Sequence, residues 1–94
     1  MIKLFEQGEF SYWLPEDAKG QNINVWVCIG SKFKEKKSAM VRFTASKEML
    51  FSPEKKFSVN SKEEHEIRQT LTERFDRIVE AWESAYGPAK FLEF

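Results

Sequence analysis

The chain has 94 residues, 41% of them hydrophobic and 15% aromatic, and a formal net charge of zero; that suits one domain around one core and excludes a global field drawing it to nucleic acid or membrane. A single cysteine, Cys28, excludes an internal disulfide and fits a reducing compartment. No apolar run approaches a membrane span and the first residues lack a signal-peptide pattern, so the expectation is a soluble, cytoplasmic protein with no membrane partner.

In chain order, residues 2–5 make a short first strand broken at Gln7-Gly8. Residues 10–14 alternate, with Phe10, Tyr12 and Leu14 on one side and Ser11 and Trp13 on the other. Residues 15–20 carry turn chemistry and form a surface loop. Residues 23–29 give the clearest strand: Ile23, Val25, Val27 and Ile29 face one way, Asn24, Trp26 and Cys28 the other, and Gly30 closes it. A lysine-rich connection follows over 31–38. Residues 39–45 alternate again, with Val41 and Phe43 opposite Met40, Arg42 and Thr44. Residues 49–51 suit a short edge strand that Ser52-Pro53 ends.

Residues 61–87 read as one long amphipathic helix. Ser61 and Glu64 have capping-box spacing, and Glu63, Glu64 and Glu66 put negative charge where the helix dipole favours it. Ile67, Leu71, Phe75, Ile78, Trp82 and Ala85 form one stripe, widened by Val79 and Tyr86. Glu64–Arg68 and Glu73–Arg77 have the spacing of helical ion pairs. Gly87-Pro88 stops the run. Such a helix is roughly 37 Å long. The tail, residues 88–94, carries Phe91, Leu92 and Phe94 and is expected to pack back on the domain.

The expected architecture is therefore a single α+β domain over residues 1–94. An antiparallel sheet of three to five strands occupies about residues 1–60, and the one long C-terminal helix covers one face. Trp13, Trp26 and Cys28 then lie on the face away from the aliphatic side. Either loops and the tail cover that face, or the aromatics meet a partner.

Local charge is uneven although net charge is zero. Residues 30–62 hold nine basic and three acidic groups, for +6; residues 63–86 hold three and seven, for −4. Lys32, Lys34, Lys36, Lys37 and Arg42 make a basic edge that suits nucleic acid or an acidic protein surface. The plainer reading is a solvated hairpin tip whose lysines keep a sheet edge from pairing with another chain.

Groups that carry chemistry are sparse. His65-Glu66 begins like a zinc-protease helix motif, but Gln69 stands where the second histidine belongs, and one nitrogen ligand does not close a zinc site. Cys28 has no paired cysteine, no serine sits in a nucleophile elbow, and no glycine-rich phosphate loop exists. The sequence points to no cofactor or metal and supplies no argument for an enzyme.

The order of elements, from Phe5 through Phe10-Ser11-Tyr12-Trp13, the 15–20 loop, the 23–30 strand, the 40–44 strand and Trp82-Glu83-Ser84-Ala85-Tyr86-Gly87, resembles the small bacterial family called domain of unknown function 4160. That family carries a His-x-His-Val strand; here Asn24 and Trp26 precede Val27, so any role of those histidines is lost. The resemblance implies a bacterial or phage accessory protein of toxin–antitoxin type.

The leading expectation is a non-catalytic protein-interaction module: one partner of a toxin–antitoxin-like pair, or a phage-encoded inhibitor of a host defence complex. It would bind another protein or itself through Trp13 and Trp26. The alternatives are a nucleic-acid-binding regulator using the Lys32–Arg42 edge and a toxin-type hydrolase with an unidentified site.

Overall fold

The computed structural model describes residues 1–93. Five strands run antiparallel, each beside the next in sequence: β1 (Ile2–Gln7), β2 (Phe10–Leu14), β3 (Asn24–Ile29), β4 (Ser38–Phe43) and β5 (Met49–Pro53). Two helices follow, α1 (Ser61–Glu73) and α2 (Phe75–Tyr86). The α+β class and the strand-then-helix order are as the sequence leads one to expect.

Strand alternation sorts the side chains between two environments. Phe10, Tyr12 and Leu14 of β2, Val25 and Val27 of β3, and Ala39, Val41 and Phe43 of β4 face the helices. Ile67 and Leu71 of α1 and Phe75, Ile78 and Trp82 of α2 close over them, all buried. Fully burying side chains of this size stabilises by about 1.5–3 kcal/mol each, so this layer is the main source of the fold's stability.

The single long helix is corrected to two helices that meet at Arg74, whose φ of −102° and ψ of 11° leave the helical region. Hydrogen bonding continues through the junction, with Arg74 N–H donating to Thr70 O and Ile78 N–H to Arg74 O, both at 3.0 Å. The junction is thus a kink rather than a loop. A local contact accounts for it: the Thr72 hydroxyl donates to the Arg68 carbonyl at 2.8 Å, a back-bond that bends helices. With the bend, the longest extent of the molecule is 32 Å, shorter than the roughly 37 Å of an unbroken helix.

Three local readings of the helix change with it. The capping box is formed one residue earlier: Asn60 Oδ1 accepts from Glu63 N–H at 2.8 Å, and Glu63 Oε1 accepts from Asn60 N–H at 3.0 Å. Asn60 is extended, at φ −84° and ψ 175°, while Ser61 is already helical, so Asn60 is the residue placed to cap. Glu64 and Arg68 pair at 3.6 Å, but the kink separates Glu73 from Arg77, and Glu73 accepts from Gln69 instead. Ala85 is exposed; the stripe ends on Tyr86, whose ring meets Trp82 at 4.9 Å and whose hydroxyl donates to the Pro15 carbonyl. Gly87 ends α2 with a φ of 85°, as the sequence leads one to expect.

The tail returns to the helix side of the sheet. Ile23 N–H donates to Lys90 O and Leu92 N–H to Phe43 O, both at 2.8 Å, and Phe91 stacks on Phe75. Phe94, the last residue of the expected apolar tail, lies outside the described residues.

Candidate functional site

Both helices lie on one side, so the other sheet face is left to the strands and one loop. Register turns its alternating residues into rows. Lys3, Trp13, Trp26, Met40 and Ser52 pair successively from β1 to β5 and form one row across the whole sheet. A second row, Asn24, Arg42 and Leu50, runs beside it. On the other flank Glu6, Ser11, Cys28 and Ser38 pair in the same way.

The centre of this face is aromatic and half-buried. Phe33, from the loop after β3, meets Trp13 at 5.7 Å and Trp26 at 6.1 Å, edge to face in both cases. Lys3 Nζ lies 5.5 Å from the Trp13 ring centre and donates to the Ser31 carbonyl. Trp13 Nε1 donates to Ser11 Oγ at 2.8 Å, and Ser11 Oγ donates to Gly30 O at 2.6 Å. Trp13 is therefore fixed by polar contacts as well as by packing. Phe33 gives the partial loop cover that sequence reasoning allowed for; Phe91 of the tail packs on the helix side, against Phe75. Leu50 remains 39% exposed, and Trp26, Met40 and Arg42 are half-buried.

Arg42 stands apart from the lysines with which the sequence groups it. It occupies the open face beside Asn24 and Leu50, near the end of β4 away from the lysine loop. Among the described residues no carboxylate pairs with it. Its Nε and the neighbouring Asn24 Oδ1 are buried without a hydrogen-bond partner there.

Lys32, Lys34, Lys36 and Lys37 are all exposed on the loop between β3 and β4, which includes a single 3-10 turn, Glu35–Lys37. Cys28 anchors that loop from below: its buried Sγ accepts from Lys34 N–H at 3.3 Å. The β4–β5 hairpin then brings Lys55 and Lys56 to the same end, with Lys56 N–H donating to Lys36 O and Glu54 N–H to Ser38 O, both at 2.9 Å. Lys34, Lys36, Lys37 and Lys56 line one concavity there, with Glu35.

Sequence reasoning missed Phe33, Met40, Lys55 and Lys56 as members of these surfaces. Met40 was legible in principle, since the register that pairs the 23–29 and 39–45 strands sets it opposite Trp26. Lys55 and Lys56 carried no local signal, because only the hairpin return brings them to the loop. His65 is exposed on α1, and among the described residues no cluster of metal-ligating side chains is found. No helix is long and apolar enough to cross a membrane among those residues.

No protein-family model, curated protein or solved structure matches the chain.

Proposed function

We propose that the protein is a non-catalytic interaction module that docks an acidic surface of a partner protein on its open sheet face. The observation that carries this reading is the Trp13–Trp26–Met40 row on the face the helices leave free. Composition decides more than area here. Five strands about 4.8 Å apart and five residues along a strand give at most roughly 270 Å², about a third of one side of a standard interface, and Ser11, Asn24, Cys28 and Ser38 on that face are buried. Yet the centre holds Trp, Met and Arg, the types enriched at interface cores, and the lysines are at the rim. Arg42, without a carboxylate among the described residues, gives an acidic partner a charge to meet.

The resemblance in element order to the family with the His-x-His strand supports a bacterial or phage setting, as one member of a two-protein module or an inhibitor of a host defence complex. On that resemblance Trp26 stands where the family has a histidine, and a tryptophan is a residue type suited to anchoring a partner.

The test is affinity capture from bacterial lysate after nuclease treatment, with the wild type and with Trp26→Ala. The expected result is a stoichiometric protein held by the wild type and lost by the variant, whose circular dichroism is unchanged. Equal recovery with both would overturn the reading. A second reading, nucleic-acid binding, gains from Lys55 and Lys56 joining the lysine loop. It predicts recovery that nuclease abolishes and that falls steeply with salt.

A further inference from the structure

On the helix side, between edge strand β1 and α2, lies a cleft of about 210 Å³ lined by Leu4, Phe5, Ile78, Ala81, Arg74 and Arg77. Two departures from regular geometry meet in it. The β1–β2 register shifts between Lys3 and Phe5, leaving Leu4 as the extra residue of a bulge. In a regular strand Leu4 and Phe5 would face opposite ways; here both line the cleft. The second departure is the kink at Arg74, which starts α2 so that Arg74, Arg77, Ile78 and Ala81 share the wall facing β1.

The two arginines stand at the cleft without an ion pair among the described residues. Arg74 is half-buried, with its guanidinium 4.2 Å from the Phe5 ring centre and an Nη2–H donated to Gln7 Oε1 at 3.4 Å. Arg77, freed by the kink from the Glu73 pairing, is exposed at the cleft. Among the described residues neither guanidinium has a carboxylate within ion-pair distance, although α1 and α2 are rich in acids. A guanidinium presents planar paired donors that match a carboxylate. Leu4 and Ala81, both half-buried, offer apolar surface beside them.

From this juxtaposition we infer that the cleft is a binding site for a small monocarboxylate carried on an apolar body. The cleft is below the roughly 300–1,000 Å³ of sites for drug-sized ligands, so the body is one aromatic ring or a short acyl chain. The carboxylate meets Arg77 and Arg74, and the apolar body lies on Leu4 and Ala81. The inference is independent of the interaction module, because the cleft and the Trp13–Trp26 row lie on opposite faces of the sheet.

The experiment is titration of the ¹⁵N-labelled protein with benzoate, followed by amide shifts. Saturable shifts are expected at residues 4, 5, 77, 78 and 81, with little change at residues 13 and 26. Benzyl alcohol, which keeps the ring and drops the charge, and acetate, which keeps the charge and drops the ring, should each bind at least about tenfold more weakly, the factor equivalent to about 1.4 kcal/mol. Arg77→Gln, at an exposed position, should weaken benzoate by a similar factor and leave the spectrum otherwise unchanged; Arg74→Gln gives a second reading on the same cleft. Absence of saturable shifts at cleft amides overturns the inference. So does equal binding of benzyl alcohol or acetate, or unchanged affinity in Arg77→Gln.

Discussion

Tyr12 shows what burial does to one group. It is 1% exposed in the core, and its hydroxyl is pushed up to about 12, chiefly by burial, against the opposing pull of a Thr70 hydrogen bond and the Arg74 charge. An unfolded tyrosine titrates near pH 10. Below that pH both states keep the proton and Tyr12 adds no pH dependence. Between about pH 10 and 12 the unfolded chain loses the proton while the folded one holds it, so the unfolded state binds fewer protons. Stability therefore falls as pH rises, by at most about 1.4 kcal/mol per pH unit. Urea midpoints at pH 9 and 11 should drop less for Tyr12→Phe than for the wild type; identical drops would remove Tyr12 as the cause. The tryptophans make a second contrast at this scale. Trp82 is 1% exposed beneath the sheet, so Trp82→Ala should cost about 3–5 kcal/mol. Trp26 is only half-buried, and Trp26→Ala should cost less than half as much in the same denaturation series. Equal and large costs would mean the open face is as tightly packed as the core and would remove the case for docking there.

Elements were legible where a period and a stop signal agreed. The alternation of Phe10, Tyr12 and Leu14, and of Val25 and Val27, gave both the strands and their buried faces, because each repeat is enforced along its own strand. Gly87 gave the end of α2 for the same kind of local reason. The kink at Arg74 was not legible, since the apolar spacing from Ile67 to Trp82 fits a continuous helix. What accompanies the bend is the Thr72 hydroxyl turned back onto the Arg68 carbonyl, a contact that the presence of a threonine in the run does not announce. The cap illustrates a finer limit. Asn60–Glu63 and Ser61–Glu64 have the same spacing and equally good chemistry, and backbone geometry alone selects the first. Asn60→Ala should accordingly destabilise by about 1 kcal/mol, while Ser61→Ala stays within about 0.5 kcal/mol. Thermal unfolding of the two variants decides it, and the reverse order would return the cap to Ser61. Of the candidate surface, Trp13 and Trp26 were legible from alternation. The cover by Phe33 and the convergence of Lys55 and Lys56 were not, because both arise from loops and hairpins meeting across the sheet.

For the whole molecule, zero net charge conceals two poles. The acids of residues 63–86 sit on α1 and α2, on one side of the sheet. The lysines of the β3–β4 loop and Lys55 and Lys56 gather at one end of it. The molecule measures 32 × 24 × 21 Å, while charges are screened over about 8 Å at physiological salt. A partner close to the lysine end is therefore attracted by that end and largely blind to the helices. Under the proposed docking function the two surfaces have separate kinetic roles. Rim charge accelerates encounter, whereas a desolvated aromatic anchor holds the complex once formed. Replacing Lys34, Lys36, Lys37, Lys55 and Lys56 by Ser should lower the association rate for the captured protein partner and flatten its salt dependence, with little change in dissociation. Trp26→Ala should leave association nearly unchanged and speed dissociation, by about thirtyfold or more for a hot spot worth at least about 2 kcal/mol. Surface plasmon resonance at two salt concentrations resolves both rates. If the lysine variant instead loses equilibrium affinity for nucleic acid, with a smaller log–log salt slope, the basic end is itself the binding site and the aromatic row is not the anchor.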